Sequence, residues 1–435
     1  MEPLTIGLLG CGALLVLVVL GLEVYIAAAL VGIGGLMAMR GWSVGAAISG
    51  LTPHAEIIHY GLSVIPMFIL LGYFAQRANI IGEAFHAFRI WLGWLPGGLA
   101  VATIFSAAGF SAVSGSSTAT AAVFSRVAIP EMLKSGYAKS LAAGTVAASG
   151  TLAALIPPSA ILVLYALIVE ESVGRLLIAA VVPGLLTALA YALVPITWAL
   201  LYPKSSPPSK PVMPDGSPIT WGDRFLAIRG MASIAGTVVL ILSGIYFGWM
   251  TPTESGAVGA FLILIIAILR KQMTLQGFRE ALRETVSVSV MIFSIVWGVI
   301  IFVRFLGYAG LPEELSNWIS GIDAPRIVIL LGILLIYLVL GMFMDAIGMM
   351  MLTLPFVYPT IIMLGYDPIW FGIVLVKMVE IGLMTPPIGM NCFIVAAARD
   401  DIPLQTVFKG VTPFFLADGF IIALLILAPD IVALL

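Results

Sequence analysis

The chain has 435 residues, 61% of them apolar and only 10% charged, with a net charge of −2; a water-soluble domain carries about 25% charged residues, so that class is excluded. No cluster of Lys and Arg with interleaved aromatics is present, which argues against a nucleic-acid surface. The two cysteines, Cys11 and Cys392, lie in apolar runs and cannot build a disulfide framework, while His54, His59 and His86 lack Cys or carboxylate partners at metal-ligand spacing.

In chain order, apolar runs punctuated by Gly, Pro and charge predict crossings near 4–20, 24–39 and 55–76, then 137–170 and 175–201. A span needs roughly 20 apolar residues, and several of these runs supply them. The first run follows only Met1, Glu2 and Pro3, with no basic n-region or small-residue cleavage site, and reads as a retained helix. Residues 202–223 hold six prolines with Lys204 and Lys210 and read as a cytoplasmic, extended linker. A second group of crossings follows near 224–248, 254–269, 277–306, 367–398 and 409–433. The organisation is thus 1–201, the linker 202–223, and 224–435.

A shift of 229 positions superposes Pro96 on Pro325, Pro130 on Pro359, Gly136-Tyr137 on Gly365-Tyr366, and Pro157-Pro158 on Pro386-Pro387. This is the pattern of an internal repeat, common in transporters. With the N-terminus outside and five crossings per half, most Lys and Arg fall on the cytoplasmic side, among them Arg77, Arg89, Arg126, Lys139, Lys210, Arg270, Arg279 and Arg399. Only Arg40, Arg175, Arg304 and Arg326 fall outside, and Lys377 is mid-helix. An odd number of crossings inverts the second half relative to the first.

Two segments, 97–130 and 324–362, are apolar but interrupted near their middles, by the run Ser111 to Thr120 and by the run Gly341 to Gly348, with expected tips around Ser114 to Thr118 and Asp345 to Gly348. They read as re-entrant helical hairpins, the first entering from the cytoplasm and the second from outside. Amphipathic stretches, Ile80 to Trp94 and Leu311 to Ile322, precede them and suit the membrane surface. The segments 137–170 and 367–398 are interrupted too, at Ser149-Gly150-Thr151 through Pro157-Pro158 and at Thr385-Pro386-Pro387 through Gly389. The expected fold is an all-α membrane protein of two inverted-topology repeats, each with about five crossings, a re-entrant hairpin and a discontinuous helix.

Broken backbone is tolerated at membrane depth only where protein or a water-filled cavity satisfies its polar groups, so the breaks mark a cavity. Helix ends there can hold a cation against carbonyls and an anion against N–H groups. The candidate sodium and substrate residues are Ser114, Gly115, Ser116, Ser117, Thr118, Asp345, Ala346 and Gly348 at the hairpin tips. In the broken helices they are Gly150, Thr151, Pro157, Pro158, Thr385, Pro386, Pro387 and Asn391. Neutral hydroxyl and carbonyl oxygens suit sodium. Asp345 either ligates the ion or caps its helix. Lys377 and Glu380, three apart on one helix face, are expected to pair with each other. Glu254 after Thr251-Pro252-Thr253 reads as a helix start, and Met349-Met350-Met351 as packing.

The motifs resemble the large membrane subunit of tripartite ATP-independent periplasmic transporters. Those that carry the resemblance are Ser114-Gly115-Ser116-Ser117-Thr118-Ala119-Thr120, Ile129-Pro130-Glu131-Met132, Gly150-Thr151-Leu152, Ile156-Pro157-Pro158-Ser159, Val182-Pro183-Gly184, Pro252-Thr253-Glu254 and Met384-Thr385-Pro386-Pro387-Ile388-Gly389. Their order holds essentially end to end. The chain departs at Ser117-Thr118, where relatives often carry Gly-Pro. The charge bias and crossing count put both termini in the periplasm; the resemblance implies a bacterial inner-membrane permease with a scaffold and a mobile part that moves like an elevator. It also implies sodium as coupling ion, no other cofactor, an organic acid as cargo, and two partners: a small membrane subunit and a periplasmic binding protein. No Gly-x-x-x-x-Gly-Lys-Ser/Thr loop is present, in keeping with ATP independence. The rival readings are a self-sufficient sodium–carboxylate symporter, an intramembrane enzyme and a channel; neither the Ser/His, paired Asp or metal constellation of the second nor the continuous pore of the third is visible.

Overall fold

The computed structural model describes residues 2–433 apart from 59, 79 and 208–218. His59, Lys210 and the middle of the 202–223 linker lie outside the described residues. Every regular element among the described residues is a helix. Six helices are long and apolar enough to cross a membrane, and up to nine if each bent pair counts as one span.

Two long helices form the spine of one part of the molecule. The helical range Val24–Ile57 is broken at Gly41, whose φ 81° and ψ 165° turn the chain so sharply that a Cβ on Gly45 would stand 2.7 Å from the Met37 nitrogen; the first spine helix thus ends close to the expected 39 and a second helical stretch follows. Leu275–Tyr308 has 34 residues, about 51 Å at 1.5 Å per residue, well beyond the roughly 30 Å of hydrocarbon. Its surplus is the polar first turns, where Arg77 grips Glu280 at 2.6 Å and Glu284 at 2.7 Å. The two spine helices touch backbone to backbone: a Cβ on Gly298 would stand 2.1 Å from the Tyr25 carbonyl oxygen. Membrane helices have no hydrophobic drive toward one another, so such close packing through small residues is what joins them.

The first hairpin is Gly98–Ser114 with Ser117–Lys134, and the second is Arg326–Gly341 with Ala346–Met363. Each is followed by a discontinuous helix: Lys139–Leu155 bent 41° from Ala160–Ile168, and Pro368–Gly382 separated from Met390–Ala397. The first interruption begins at Thr151, a turn residue after Lys139–Gly150; one short helical turn, Leu152–Leu155, keeps the direction, and the sharp bend comes at Ile156–Ser159, where two prolines remove backbone donors.

The helix Leu404–Leu427 shows that the hairpins enter from opposite faces. It is 24 residues long, about 36 Å. Near its start, Gly410 presses on the backbone of Ser140 and Gly144, just beyond the outer end of the first hairpin, and Lys139 donates to the Asp401 carbonyl at 2.6 Å. Near its end, the Leu425 carbonyl accepts from the Trp370 indole at 2.8 Å, just beyond the outer end of the second hairpin. The outer ends of the hairpins thus lie at opposite ends of one membrane-length helix, and the tips meet between them. The repeat is inverted.

Polar ties lie at the periphery: Arg89 pairs with Glu131, Arg270 with Glu83, and Lys139 with Asp401, three basic residues expected on one face. Arg40 stacks over Tyr308, and Arg326 over Tyr366, on the other side. Both amphipathic stretches are helices, Ile80–Leu92 and Leu311–Ser320, the former turned 69° from Tyr60–Arg77. Glu254 starts its helix in a capping box with Thr251, and Met349, Met350 and Met351 are buried in packing.

Candidate functional site

At the first tip, Gly115 ends one helix at φ 58°, in the left-handed region, and its N–H donates to Ser111. A Cβ there would also crowd the Pro158 carbonyl and the Ala160 N–H at 3.3 Å, so the tip rests on the first broken helix. Ser116 then caps the outgoing helix, accepting from the Ala119 N–H at 3.3 Å. Its hydroxyl lies 3.2 Å from that of Thr118, and the Ser114 hydroxyl 3.2 Å from that of Thr120. At the second tip, Asp345 accepts from the N–H groups of Ile347 and Gly348, both at 3.0 Å. Of the two roles open to Asp345, the cap is the one the geometry shows.

The tips share one cavity of about 830 Å³. Ser114 to Thr118 line it from one hairpin and Asp345 to Gly348 from the other. The spine helix closes it with Val288, Met291, Ile292 and Ile295. Glu23 and Gln76 stand at its margin. All eight tip candidates therefore face a single space.

The broken-helix candidates do not line this space. Thr151 donates to the Ala148 carbonyl and sits 3.1 Å from the Tyr191 hydroxyl. Thr385, just past the end of Pro368–Gly382, donates to the Ile381 carbonyl of that helix at 2.7 Å and is satisfied locally. Pro157 and Pro158 are buried behind the first tip, whereas Pro386 and Pro387 are exposed. Gly150 and Asn391 lie together behind Ser117. The two tips thus stand at the cavity, with the first break packed behind the first tip and the second break at Pro386-Pro387 exposed.

The family model of the DctM component of tripartite ATP-independent periplasmic (TRAP) transporters matches residues 11–431. The chain belongs to this family. It is 34% identical to the C4-dicarboxylate TRAP transporter large permease protein DctM of Pseudomonas aeruginosa, covering 82% of each chain. It is 31% identical to the sialic acid TRAP transporter large permease protein SiaM of Vibrio cholerae, covering 87% of each. The solved YdaH transporter of Alcanivorax borkumensis superposes with a TM-score of 0.60 over 88% of this chain and 89% of its own, at 14% identity, a likeness of fold alone. The protein is therefore a multi-pass TRAP large permease of the inner membrane, a transporter component and not an enzyme.

The permease also contains a buried ionic cluster that sequence reasoning did not assemble. Lys377 pairs with Asp418 of the helix Leu404–Leu427, not with Glu380 as expected. Tyr191, from Val181–Leu201, donates to Asp418 at 2.7 Å, accepts from Lys377 at 3.3 Å, and lies beneath that ammonium at 4.9 Å. Glu380 instead accepts from the Ser117 hydroxyl, which sits 2.8 and 2.9 Å from its two oxygens. The expected pair failed because the i, i+3 rule sees only one helix, whereas partners on neighbouring helices were nearer. An acidic residue inside the run 409–433 was the available signal for Asp418.

Proposed function

We propose that this permease forms the transport pathway of a sodium-coupled uptake system for an organic acid anion, moving it from periplasm to cytoplasm by an elevator-type displacement. The observation that carries the reading is the convergence of two oppositely entering hairpin tips on one cavity against the spine helix Leu275–Tyr308. The first tip offers hydroxyls of Ser114, Ser116 and Thr118, and the helix beginning at Ser117 offers its positive end. Neutral oxygens suit sodium, and a helix N-terminus suits a carboxylate. Among the described residues the cavity has no Lys or Arg in its lining, so the anion is held by these dipoles and by the co-bound cation.

Glu23 and Gln76, at the cavity margin, belong to chain ends assigned to the cytoplasmic side, so this state faces inward. Outward exposure then requires the hairpins to slide along the spine helix. Both termini are periplasmic in this topology. The division at 1–201, 202–223 and 224–435 follows from the repeat. A small membrane subunit and a periplasmic binding protein complete the system, because the family is tripartite; the same membership argues against a self-sufficient symporter.

The test is uptake by proteoliposomes holding the permease with its two partners, using the organic acid that the cognate binding protein retains. A sodium gradient drives accumulation, and Ser116→Ala weakens the sodium dependence. Equal uptake in potassium buffer overturns the coupling.

A further inference from the structure

Lys377, Glu380 and Asp418 are the only fully buried charged side chains among the described residues, and they lie together at membrane depth. One is positive and two are negative. The Lys377–Asp418 pair is internally balanced and is shared with Tyr191. Glu380 is left over, with a carboxylate of about four acceptor sites met by one hydroxyl hydrogen, that of Ser117. An ionised carboxylate in this position costs far more than a folded protein can spare unless a cation answers it.

A second observation points to the same place. Asn391 is completely buried, and neither its Oδ1 nor its Nδ2 has a hydrogen-bond partner. A buried amide is normally satisfied. The amide borders Ser117: the position a Cβ would take on Gly150 lies 2.9 Å from the Ser117 carbonyl oxygen and 3.3 Å from Asn391 Nδ2. A side chain at 150 would crowd both groups, so the Ser117 carbonyl and the Asn391 amide flank Gly150. Ser117 thus meets a carboxylate through its hydroxyl and shares its Gly150 neighbour with an unpartnered amide.

We infer that Glu380, Ser117 and Asn391 form a binding site for a monovalent cation, sodium or a proton, on the inner side of the first hairpin tip, touching the solute cavity only through Ser117. This rests on the proposed cation-coupled transport but not on the hydroxyls of Ser114, Ser116 and Thr118. The titratable groups facing Glu380 are Lys377 on its own helix, Asp418 on Leu404–Leu427 and Tyr191 on Val181–Leu201; the first hairpin presents Ser117. Cation uptake there neutralises the cluster and fixes Ser117, the first residue of the helix whose positive end faces the cavity. Site occupancy and cavity shape are thereby linked.

The experiment follows thermal unfolding of the purified full-length permease in lipid nanodiscs. Sodium is varied against choline at constant ionic strength and at several pH values, for the natural protein, Glu380→Gln and Ser116→Ala. A sodium site predicts that Glu380→Gln raises the sodium midpoint about tenfold or more. A proton site predicts an unchanged sodium midpoint and loss, in Glu380→Gln, of a pH response that the natural protein shows. Glu380→Gln matching the natural protein in both responses overturns the inference. If Ser116→Ala alone loses sodium stabilisation, the tip reading stands while this one falls. Should Glu380→Gln not fold, Ser117→Ala keeps the charge and removes the hydroxyl; an unchanged sodium midpoint and an unchanged pH response then overturn the inference.

Discussion

Removing the ammonium of Lys377 and removing the carboxylate of Asp418 have unequal consequences, although the two groups form one ion pair. Both side chains are almost completely buried, at 2% and 1% exposure, so neither charge is rescued by water. With no cation or proton held at Glu380, Lys377→Met leaves Asp418 and Glu380 as two negative groups with no positive one. Deleting one partner of a buried pair costs about 3–5 kcal/mol, and here the survivor also faces a like charge. Asp418→Asn instead leaves one positive and one negative group, Lys377 and Glu380, one turn apart, and keeps an oxygen for the Tyr191 hydroxyl that now bonds at 2.7 Å. Its cost is that of a weakened buried hydrogen bond, about 1–3 kcal/mol. The double variant Lys377→Met/Asp418→Asn recovers part of the loss of Lys377→Met, since it deletes one of the two negative charges. The assay is equilibrium unfolding in bicelles. Lys377→Met is expected to shift the equilibrium by roughly two to three and a half orders of magnitude, and Asp418→Asn by roughly one to two. Equal effects, or the larger loss in Asp418→Asn, would refute the charge-balance reasoning.

Gly410→Ala puts a Cβ within 1.9 Å of the Ser140 carbonyl oxygen, so it destabilises by more than the about 1–3 kcal/mol typical of overpacking, while Gly332→Ala, with nothing within 4 Å, is neutral or mildly stabilising; thermal unfolding of the two variants compares them. Asp345→Asn retains the cap on the second tip and its stability, whereas Asp345→Ala loses about 0.5–2 kcal/mol; sodium-dependent uptake impaired in both separates a ligand role from capping. At the surface, Arg399, at 2.9 Å, and then Lys139 hold the Asp401 carboxyl below its ordinary range. A lowered folded value means that stability is present above the unfolded pKa, about 3.9, and lost as pH falls through the folded one. Asp401→Asn should therefore unfold earlier than the natural protein at neutral pH and together with it in strong acid.

The interruptions were legible in the chain because their causes are local. Gly115 supplies a left-handed φ, Ser116 and Asp345 supply caps, and adjacent prolines end the helical runs at 157 and 386. The capping box at Thr251 was legible for the same reason. The second helical stretch after Gly41 was not, because its Ala- and Gly-rich composition does not decide between a loop and a helix.

By itself the sequence determined the membrane class, the two interrupted hairpins, the inverted repeat and the residues at the tips, since hydropathy, charge placement and backbone-breaking residues act within a few positions of where they stand. Tertiary structure decided which hydroxyls face the cavity, that Thr151 and Thr385 turn away from it, and that Lys377 takes Asp418 while Glu380 takes Ser117. A charge buried in a medium without water bonds to the nearest compensating group in space, and that group is brought there by the packing of other helices.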